Sequence, residues 1–321
     1  MTAAPSMPSR GDIIHPAGAA TVGAVIVSYN TRGLLERCLA ELDPETRRVV
    51  VVDNASTDGS ARLVRERFPS VEVVERSDNR GFGAGANEGI ALLESRYVLL
   101  LNPDAWPLAG AVDRLVSVAE QNPRVGVVAP RLLSADGTPQ QSVFGYPTRP
   151  TLLAAWAAFP RLVGAAARLT RLVRRSLERA GPKDAAPRGC EAVVGHDFPV
   201  GAALLIRKEA FDEAFFMYSE ETDLCRRLRD LRWGVLYCPS AAFVHVGAAA
   251  TSQSRGVMYR EQLRSYLRYI AKYRGAAQAD RARALLARTL RLRALGRRAS
   301  RAEDRETARW LASTELESLL R

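Results

Sequence analysis

The stretch Tyr97-Val98-Leu99-Leu100-Leu101-Asn102-Pro103-Asp104 (YVLLLNPD) joins an apolar run to a polar turn. Such a run, bounded by turn residues, is typical of a strand buried on both faces of a parallel sheet. Pro103 ends the strand ladder, so we expect Asp104 at the carboxyl end of a central strand, where open α/β sheets bind ligands. A carboxylate there can hold a divalent cation, which in turn can hold a diphosphate. On its own, Asn-Pro-Asp is more typical of a solvated turn.

The chain around this stretch alternates apolar runs with segments of helical periodicity. Strands are predicted at Val22–Ser28, Arg47–Asp53, Val71–Val74, Tyr97–Leu101 and Val125–Ala129. Helices are predicted from the Thr31 cap to Leu42, from the Ser56-Thr57-Asp58 caps to about Phe68, and at Phe82–Ser95 and Ala109–Asn122, with a hairpin turn at Ser134–Gly137. This alternation predicts an α/β fold with a mostly parallel sheet and right-handed crossovers.

Size and composition narrow the class of protein. The 321 residues suit one large or two ordinary domains, and the hydrophobic fraction of 47% can supply a sizeable core. The net charge of +11 favours polyanionic partners. No aromatic platform or reader motif accompanies the charge, so we expect no nucleic-acid partner. Four scattered cysteines without a Cys-x-x-Cys pair are typical of reduced thiols in a cytosolic protein.

Composition also predicts how the chain is organised. We expect a disordered leader at 1–20, an α/β domain at 21–275 and a helical tail at 276–321. A basic amphipathic insertion at 151–190 interrupts the domain, because arginines alternate there with apolar residues. It favours reversible contact with an anionic membrane surface, although a solvated helix packed on the domain is the alternative. No uninterrupted apolar segment is long enough to span a bilayer.

Three groups of segments carry a family resemblance. They are AVIVSYN (24–30) with VVVVDNASTDGS (49–60), NRGFGAGANEGI (79–90) with YVLLLNPD, and PVGAALLIRKEAF (199–211) with FFMYSEETDLCRRLR (215–229) and the segment of His245. In this order and spacing the chain resembles the inverting family-two glycosyltransferases, especially the rhamnosyltransferase-like branch, from about Val22 to Tyr273. The resemblance implies a GT-A fold, which is Rossmann-like, with flanking helices.

A nucleotide-sugar site is the first implication of the resemblance. From the residues alone, Asp53 at a strand end can accept a hydrogen bond from N3–H of uracil or thymine, or it can serve the turn. The resemblance makes Asp53 the base reader and places the glycine-rich turn near the nucleotide-sugar. As a dinucleotide fingerprint this turn is poor, because Ala86 replaces the third glycine. The predicted binding residues are Ser28, Tyr29, Asn30, Asp53, Asn54, Arg80, Gly81, Phe82, Gly83, Asn87 and Asn102.

The resemblance also implies a metal site and a catalytic base. Asp104 is the family's metal carboxylate for Mg²⁺ or Mn²⁺, with Asn102 at the first position of the motif. His245 follows a strand; such a histidine is usually structural, but the family often uses it as a further metal contact. Crowded carboxylates near an apolar wall can have raised pKa values suited to removing a hydroxyl proton. Glu221 occupies the usual position of the base and Glu220 precedes it, and both are predicted catalytic residues.

These features lead to one favoured function and two alternatives. The favoured function is an inverting, metal-dependent transfer of a sugar from a UDP- or dTDP-sugar to a lipid-linked or polysaccharide acceptor in cell-envelope synthesis, at the cytoplasmic face of the membrane. The branch resembled suggests rhamnose. A catalytically weak nucleotide-sugar-binding or scaffold protein is the alternative, because Asp212-Glu213-Ala214 runs into Phe215 where many relatives have a Gly-Gly-Phe-Asp-Glu turn. A nicotinamide-dependent dehydrogenase suits the sheet but lacks the glycine fingerprint.

Overall fold

The computed structural model describes residues 22–42, 48–145, 189–193, 197–208, 215–247, 255–295 and 301–313. The chain divides into two compact units, residues 1–144 with 186–253, and residues 145–185 with 254–321. The predicted leader, nearly all of the basic insertion and the shortened 212–214 segment lie outside the described residues. The domain boundaries inferred from composition therefore stay predictions.

The first unit carries the alternating strands and helices. Its strands are β1 (Val22–Ser28), β2 (Val49–Asp53), β3 (Glu72–Glu75), β4 (Tyr97–Leu101), β5 (Ala105–Pro107), β6 (Val125–Leu133), β7 (Val143–Gly145), β8 (Glu191–Ala192), β9 (Asp197–Pro199), β10 (Ala203–Arg207) and β11 (Gly234–His245). Its helices are α1 (Arg32–Leu42), α2 (Ser60–Arg67), α3 (Phe82–Leu92), α4 (Ala111–Gln121) and α5 (Glu220–Asp230).

The strands form a mixed sheet in the order β3-β2-β1-β4-β10-β6-β11-β5, with β8 beside β11. Strands β3, β2, β1 and β4 are mutually parallel, as are β6 and β11. Strand β10 is antiparallel to both of its neighbours, β4 and β6. The predicted α/β class with a mostly parallel central sheet is confirmed.

The register of the central strands brings their carboxyl ends to one edge. Ser28 is paired with Asp53 across β1 and β2, and Ile26 is paired with Leu101 across β1 and β4. Ser28 lies two residues after Ile26, and Pro103 lies two residues after Leu101. Strands β2, β1 and β4 therefore end at the same edge of the sheet. Asp104 therefore follows its strand at the same edge as Asp53, as the sequence predicts.

Two apolar layers cover the sheet because β1 and β2 alternate their side chains between its faces. Ala24 and Ile26 pack with residues of α1, α2 and α4, among them Leu35, Leu63 and Leu115. Val25 and Val27 pack on the other face with residues of α3 and α5, among them Ala86, Ile90 and Leu224. All four cysteines are free thiols; Cys190 is half-buried and the others are buried.

The second unit contains helices α6 (Arg255–Arg274), α7 (Ala276–Leu295) and α8 (Arg301–Leu311). Each contributes buried apolar side chains at helical spacing, such as Leu263 and Leu267, Leu286 and Leu290, and Ala308 and Leu311. Among the helices of the described ranges, none combines the length and the apolar character needed to cross a membrane.

Candidate active site

Asp53 ends β2 and uses its two carboxylate oxygens differently. Its Oδ1 accepts a hydrogen bond of 2.7 Å from the backbone N–H of Ser56, which shapes the turn after the strand. Its Oδ2 is buried and has no hydrogen-bond partner among the described residues. Burial raises the pKa of Asp53, while the hydrogen bonds from Ser56 oppose that rise. The turn role thus occupies one oxygen, and the other is available to a donor on a ligand.

Residues at the end of β1 form hydrogen bonds with this turn. The backbone N–H of Asn30 donates to Ser56 Oγ over 2.9 Å, and the backbone N–H of Thr57 donates to Asn30 Oδ1 over 2.8 Å. Asn30 has a φ of 51°, a conformation that asparagine tolerates better than most residues. Ser28 is buried, with its Oγ 3.0 Å from Thr31 Oγ1. Tyr29 is 39% exposed, so of the predicted residues here its ring is the one open to a ligand.

Asn54 links Asp53 to the glycine-rich turn. Its Nδ2 donates to the carbonyl oxygen of Gly81 over 3.0 Å and to Asn79 Oδ1 over 2.9 Å. Asn79 Oδ1 also accepts from the Gly81 N–H over 3.0 Å, so this side chain braces the turn internally. Arg80 lies exposed between them. Asn79 belongs to the quoted motif, but it was not predicted as a site residue.

Glycine is required at positions 81 and 85 for different structural reasons. Gly81 has a φ of 89°, and a Cβ there would lie 2.1 Å from the carbonyl oxygen of Phe216. That carbonyl accepts a hydrogen bond of 2.8 Å from the N–H of Phe82, so the turn contacts the segment before α5 directly. Gly85 instead permits close packing of α3 on β1, because a Cβ there would lie 2.9 Å from Val27 Cγ1. Gly83 is buried and Asn87 half-buried, both in α3.

Asp104 is buried beside His245 at the far end of the site. Its Oδ2 accepts a hydrogen bond of 3.1 Å from the N–H of Gly247, and its Oδ1 lies 3.7 Å from His245 Nε2. Pairing of β5 with β11 brings the two together, because His245 is opposite Ala105 in the register. Asn102 contributes its backbone N–H to the Ala202 carbonyl, and its side chain is partly exposed.

The Asp104–His245 pair fits a divalent cation as two of its ligands. The 3.7 Å between Oδ1 and Nε2 is longer than a hydrogen bond. It is also less than twice the usual ligand–cation distance of about 2.1 Å, so both atoms can reach one ion. Within the described ranges, no group of three or more His, Cys, Asp or Glu side chains is placed to hold a metal. Sites with one or two protein ligands are typical of Mg²⁺ bound together with substrate phosphates.

Glu220 and Glu221 form the first turn of α5. Glu220 is buried, and Glu221 is partly exposed. One oxygen of each, Oε2, has no hydrogen-bond partner among the described residues. Burial and the neighbouring charge of Glu221 raise the pKa of Glu220 well above its usual value. Burial raises the pKa of Glu221 to about 7, although backbone N–H groups at the helix start oppose the rise.

The backbone leading into α5 is strained. Tyr218 and Ser219 have φ values of 67° and 70°, in the left-handed region that costs non-glycine residues energy. Two such residues in succession aim the first turn of α5 toward Gly201, whose added Cβ would lie 3.8 Å from Glu221 Cδ. Asp223 does not join this pair, because it is fully buried and accepts a hydrogen bond of 2.9 Å from Arg227 Nε.

The predicted residues therefore occupy one edge of the sheet. Asp53 ends β2, and Asp104 follows β4, the strand on the other side of β1. The Asn102–Ala202 hydrogen bond connects the Asp104 turn to the segment of Gly201, beside Glu221. Sequence reasoning missed Asn79 and Gly201 as site residues, although both belong to motifs quoted above.

A mixed α/β sheet with acidic side chains at the carboxyl edge of its parallel strands and helices on both faces matches the GT-A fold of sugar-nucleotide transferases. The mannosyltransferase PcManGT of Pyrobaculum calidifontis, solved with GDP-mannose and Mn²⁺, aligns with a TM-score of 0.50 over 95% of this chain and 87% of its own. Its sequence identity is 16%, so the likeness concerns the fold.

Sequence comparison then gives the family. The model for glycosyl transferase family 2 matches residues 24–161. An N-acetylglucosaminyl-diphospho-decaprenol L-rhamnosyltransferase of Mycobacterium tuberculosis is 32% identical over 71% of this chain and 77% of its own length. The low-salt glycan biosynthesis hexosyltransferase Agl10 of Haloferax volcanii is 25% identical over 69% of this chain and 66% of its own. The chain belongs to glycosyl transferase family 2, which confirms the resemblance of its motifs.

Proposed function

We propose that this glycosyltransferase moves a sugar from a UDP- or dTDP-sugar to a lipid-linked or glycan acceptor in cell-envelope polysaccharide synthesis, with inversion at the anomeric carbon. Rhamnose is the proposed sugar and a polyprenyl-diphosphate-linked sugar the proposed acceptor, since the relative from M. tuberculosis is named for that transfer. The observation that carries the proposal is that Asp53 and Asp104 follow parallel strands at one sheet edge. Glu221 lies near Gly201, and the carbonyl of the next residue, Ala202, accepts a hydrogen bond from the N–H of Asn102.

Different residues of the donor site bind different parts of the sugar-nucleotide. Asp53 Oδ2 accepts the N3–H of the pyrimidine, and its burial keeps water from competing for this oxygen. Tyr29 covers the base, because its ring is exposed at the end of β1. Asn54 and Asn79 hold the turn at Gly81 that carries Arg80 toward the sugar-nucleotide.

Glu221 acts as the general base. Its Oε2 takes the proton of the acceptor hydroxyl while that oxygen forms a bond to the anomeric carbon, from the face opposite the diphosphate. The bond between the anomeric carbon and the diphosphate oxygen breaks, and its electron pair leaves with the nucleoside diphosphate. Burial and the neighbouring charge of Glu221 raise the pKa of Glu220, which favours its neutral form and so reduces the negative charge beside the base.

Asp104 and His245 would hold Mg²⁺ or Mn²⁺ against the donor diphosphate. When bound, the cation supplies a positive charge that offsets the charge gathering on the leaving nucleoside diphosphate. Gly247 keeps Asp104 Oδ2 occupied through its N–H, which leaves Oδ1 directed at His245.

We also propose that the second unit contacts an anionic membrane surface, which places the enzyme at the inner face of the plasma membrane. Arg281, Arg288 and Arg291 are exposed at helical spacing on α7, next to Leu292, which is 60% exposed. Each arginine near an anionic leaflet contributes about 1 kcal/mol. The enzyme should float with vesicles containing anionic lipid, and changing the three arginines to glutamine should reduce that fraction. Equal flotation with neutral vesicles would contradict the proposal.

Nucleotide binding tests the donor site. Asp53→Asn is expected to weaken UDP and dTDP binding by about 10- to 100-fold, because the amide must keep its oxygen for Ser56 N–H and then turns its NH₂ toward N3–H. The wild type should prefer UDP to CDP, whose base has no N3–H, and the variant should lose that preference. Calorimetry of both proteins with both nucleotides measures the effect.

Asp58→Asn is the matched control. Asp58 follows Asp53 in the same loop, but it accepts from the backbone N–H groups of Ser60 and Arg32. Its substitution should leave the UDP/CDP preference unchanged. A wild-type protein that binds CDP as tightly as UDP would remove Asp53 from base recognition.

A further inference from the structure

The side chain of Gln140 forms hydrogen bonds with His245, which lies in a distant part of the sequence. Gln140 lies just after the turn that follows β6, 105 residues before His245. Its Nε2 donates to the backbone carbonyl oxygen of His245 over 2.7 Å, and its Oε1 lies 3.0 Å from His245 Nδ1. A second donor contact from Nε2 to Ser134 Oγ, at 3.2 Å, and the backbone bond from Gln140 N to the Leu132 carbonyl hold the residue in place.

These contacts fix the orientation of the amide. A backbone carbonyl oxygen can only accept a hydrogen bond, so the NH₂ group of Gln140 must face the carbonyl of His245. Its oxygen must then face Nδ1. Because the oxygen can only accept, the hydrogen bond of 3.0 Å requires a proton on Nδ1. A neutral imidazole has one N–H, so Nε2 is left as a lone pair.

That lone pair faces Asp104. Nε2 is 3.7 Å from Asp104 Oδ1, and two acceptors that face each other gain from a cation between them. The opposite tautomer would direct an N–H at Asp104 and close the site with a hydrogen bond. The choice between a cation ligand and a hydrogen-bond donor therefore depends on the group that occupies Nδ1.

We propose that Gln140 is a positioning residue that holds His245 as the Nδ1–H tautomer, so that Nε2 and Asp104 Oδ1 are both available to a divalent cation. Gln140 touches neither cation nor substrate and acts through His245. The inference rests on the proposed function for the use of the cation, but the tautomer itself is a property of the protein without ligands. Partners of this kind commonly change metal affinity by about 10- to 100-fold.

The tautomer can be measured directly. The sequence has three histidines, so ¹⁵N-histidine labelling gives a simple long-range ¹H–¹⁵N spectrum, in which His245→Asn assigns the signal. A pH of about 8 keeps the ring neutral, because burial lowers the pKa of His245. We expect the Nδ1–H pattern in the wild type. Gln140→Leu removes the acceptor and should change the pattern to Nε2–H, while Gln140→Glu retains an acceptor and should retain Nδ1–H.

Metal affinity supplies the second measurement. Mn²⁺ binding in the presence of UDP, followed by electron paramagnetic resonance, should weaken by 10- to 100-fold in Gln140→Leu and by much less in Gln140→Glu. Gln141→Leu is the matched control, since Gln141 Nε2 donates instead to the Val143 carbonyl. It should change neither the tautomer nor the affinity.

The outcomes separate this inference from the proposed function. An Nε2–H pattern in the wild type overturns the role of Gln140, even if the enzyme transfers sugar. A Gln140→Leu variant that keeps both the Nδ1–H pattern and the wild-type Mn²⁺ affinity overturns it equally. An Nδ1–H pattern that depends on Gln140 supports the inference, and a failure of sugar transfer in the same protein would count against the proposed function alone.

Discussion

Glu221→Gln is expected to lower kcat for sugar transfer by about 10²- to 10⁴-fold, the usual contribution of a general base. The amide keeps the shape of the side chain at the start of α5 but cannot take the acceptor proton. Binding of the donor should change little, because the base site is distinct from Asp53 and Asp104. Steady-state rates with saturating donor and acceptor, together with nucleotide calorimetry, measure both quantities.

The pH profile gives the same base an independent signature. Burial raises the pKa of Glu221 to about 7, and the base works in its deprotonated form. The wild-type kcat should therefore rise with pH through about 7 and then level off. The residual rate of Glu221→Gln should lack this rise. A wild-type profile that is flat between pH 6 and about 8 would exclude Glu221 as the base.

Glu220→Gln is the control within the same helical turn. Glu220 is buried, and burial and the charge of Glu221 raise its pKa, which favours the neutral form that glutamine resembles. We expect this variant to lose less than about tenfold in kcat and to keep the rise near pH 7. If Glu220→Gln loses activity and Glu221→Gln retains it, the roles of the two residues are reversed.

Gly81→Ala is expected to have the largest effect on stability. Its φ of 89° disfavours any residue with a Cβ, and that Cβ would lie 2.1 Å from the Phe216 carbonyl oxygen. Because the clash is with backbone, a rotamer change cannot relieve it. We expect a loss of more than about 3 kcal/mol in the free energy of unfolding, or separation of the turn from the α5 segment with loss of transfer. Denaturant unfolding and the transfer assay distinguish the two results.

Substitutions at two other glycines separate the cost of the positive φ from the cost of the steric clash. Gly110 has a φ of 69° but open space around its missing Cβ, so Gly110→Ala should cost only the backbone strain, about 1–2 kcal/mol. Gly33 lies in α1 with neither problem, so Gly33→Ala should stabilise by up to about 1 kcal/mol. If Gly81→Ala loses no more free energy of unfolding than Gly110→Ala and transfers sugar at the wild-type rate, the contact with Phe216 is not needed for stability or activity.

Much of the parallel half of the sheet could be predicted, because it depends on local patterns. The apolar runs that form β1, β2 and β4 end where polar residues begin, and the Asp58 side chain accepts a hydrogen bond from the N–H of Ser60 at the start of α2. At the start of α1, Thr31 contributes its backbone carbonyl, while its hydroxyl lies beside Ser28 Oγ. The predicted helix Phe82–Ser95 was too long, since α3 ends at Leu92. The antiparallel direction of β10 could not be read, because an apolar run such as Ala203–Arg207 has the same pattern in either direction.

Among the site residues, too, those set by local patterns could be predicted and those set by long-range contacts could not. The placement of Asp53 and Asp104 at one edge of the sheet could be predicted, because the carboxyl ends of parallel strands meet there. Gln140 could not, since its contact with His245 joins residues 105 positions apart and depends on the exact path of a hairpin. The different burial of Glu220 and Glu221 was also beyond the sequence, because adjacent residues at a helix start carry no signal of which side chain packs inward.

We expect the enzyme to transfer a sugar from a pyrimidine-nucleotide donor with inversion at the anomeric carbon. The most direct test incubates the enzyme with Mg²⁺ or Mn²⁺, a panel of UDP- and dTDP-sugars including dTDP-rhamnose, and a polyprenyl-diphosphate-linked N-acetylglucosamine, and determines the anomeric configuration of the product by NMR. We expect stoichiometric release of the nucleoside diphosphate and a glycoside of inverted configuration. Tight binding of UDP or dTDP with no transfer from any donor, as a scaffold protein would show, or a product of retained configuration would contradict the account.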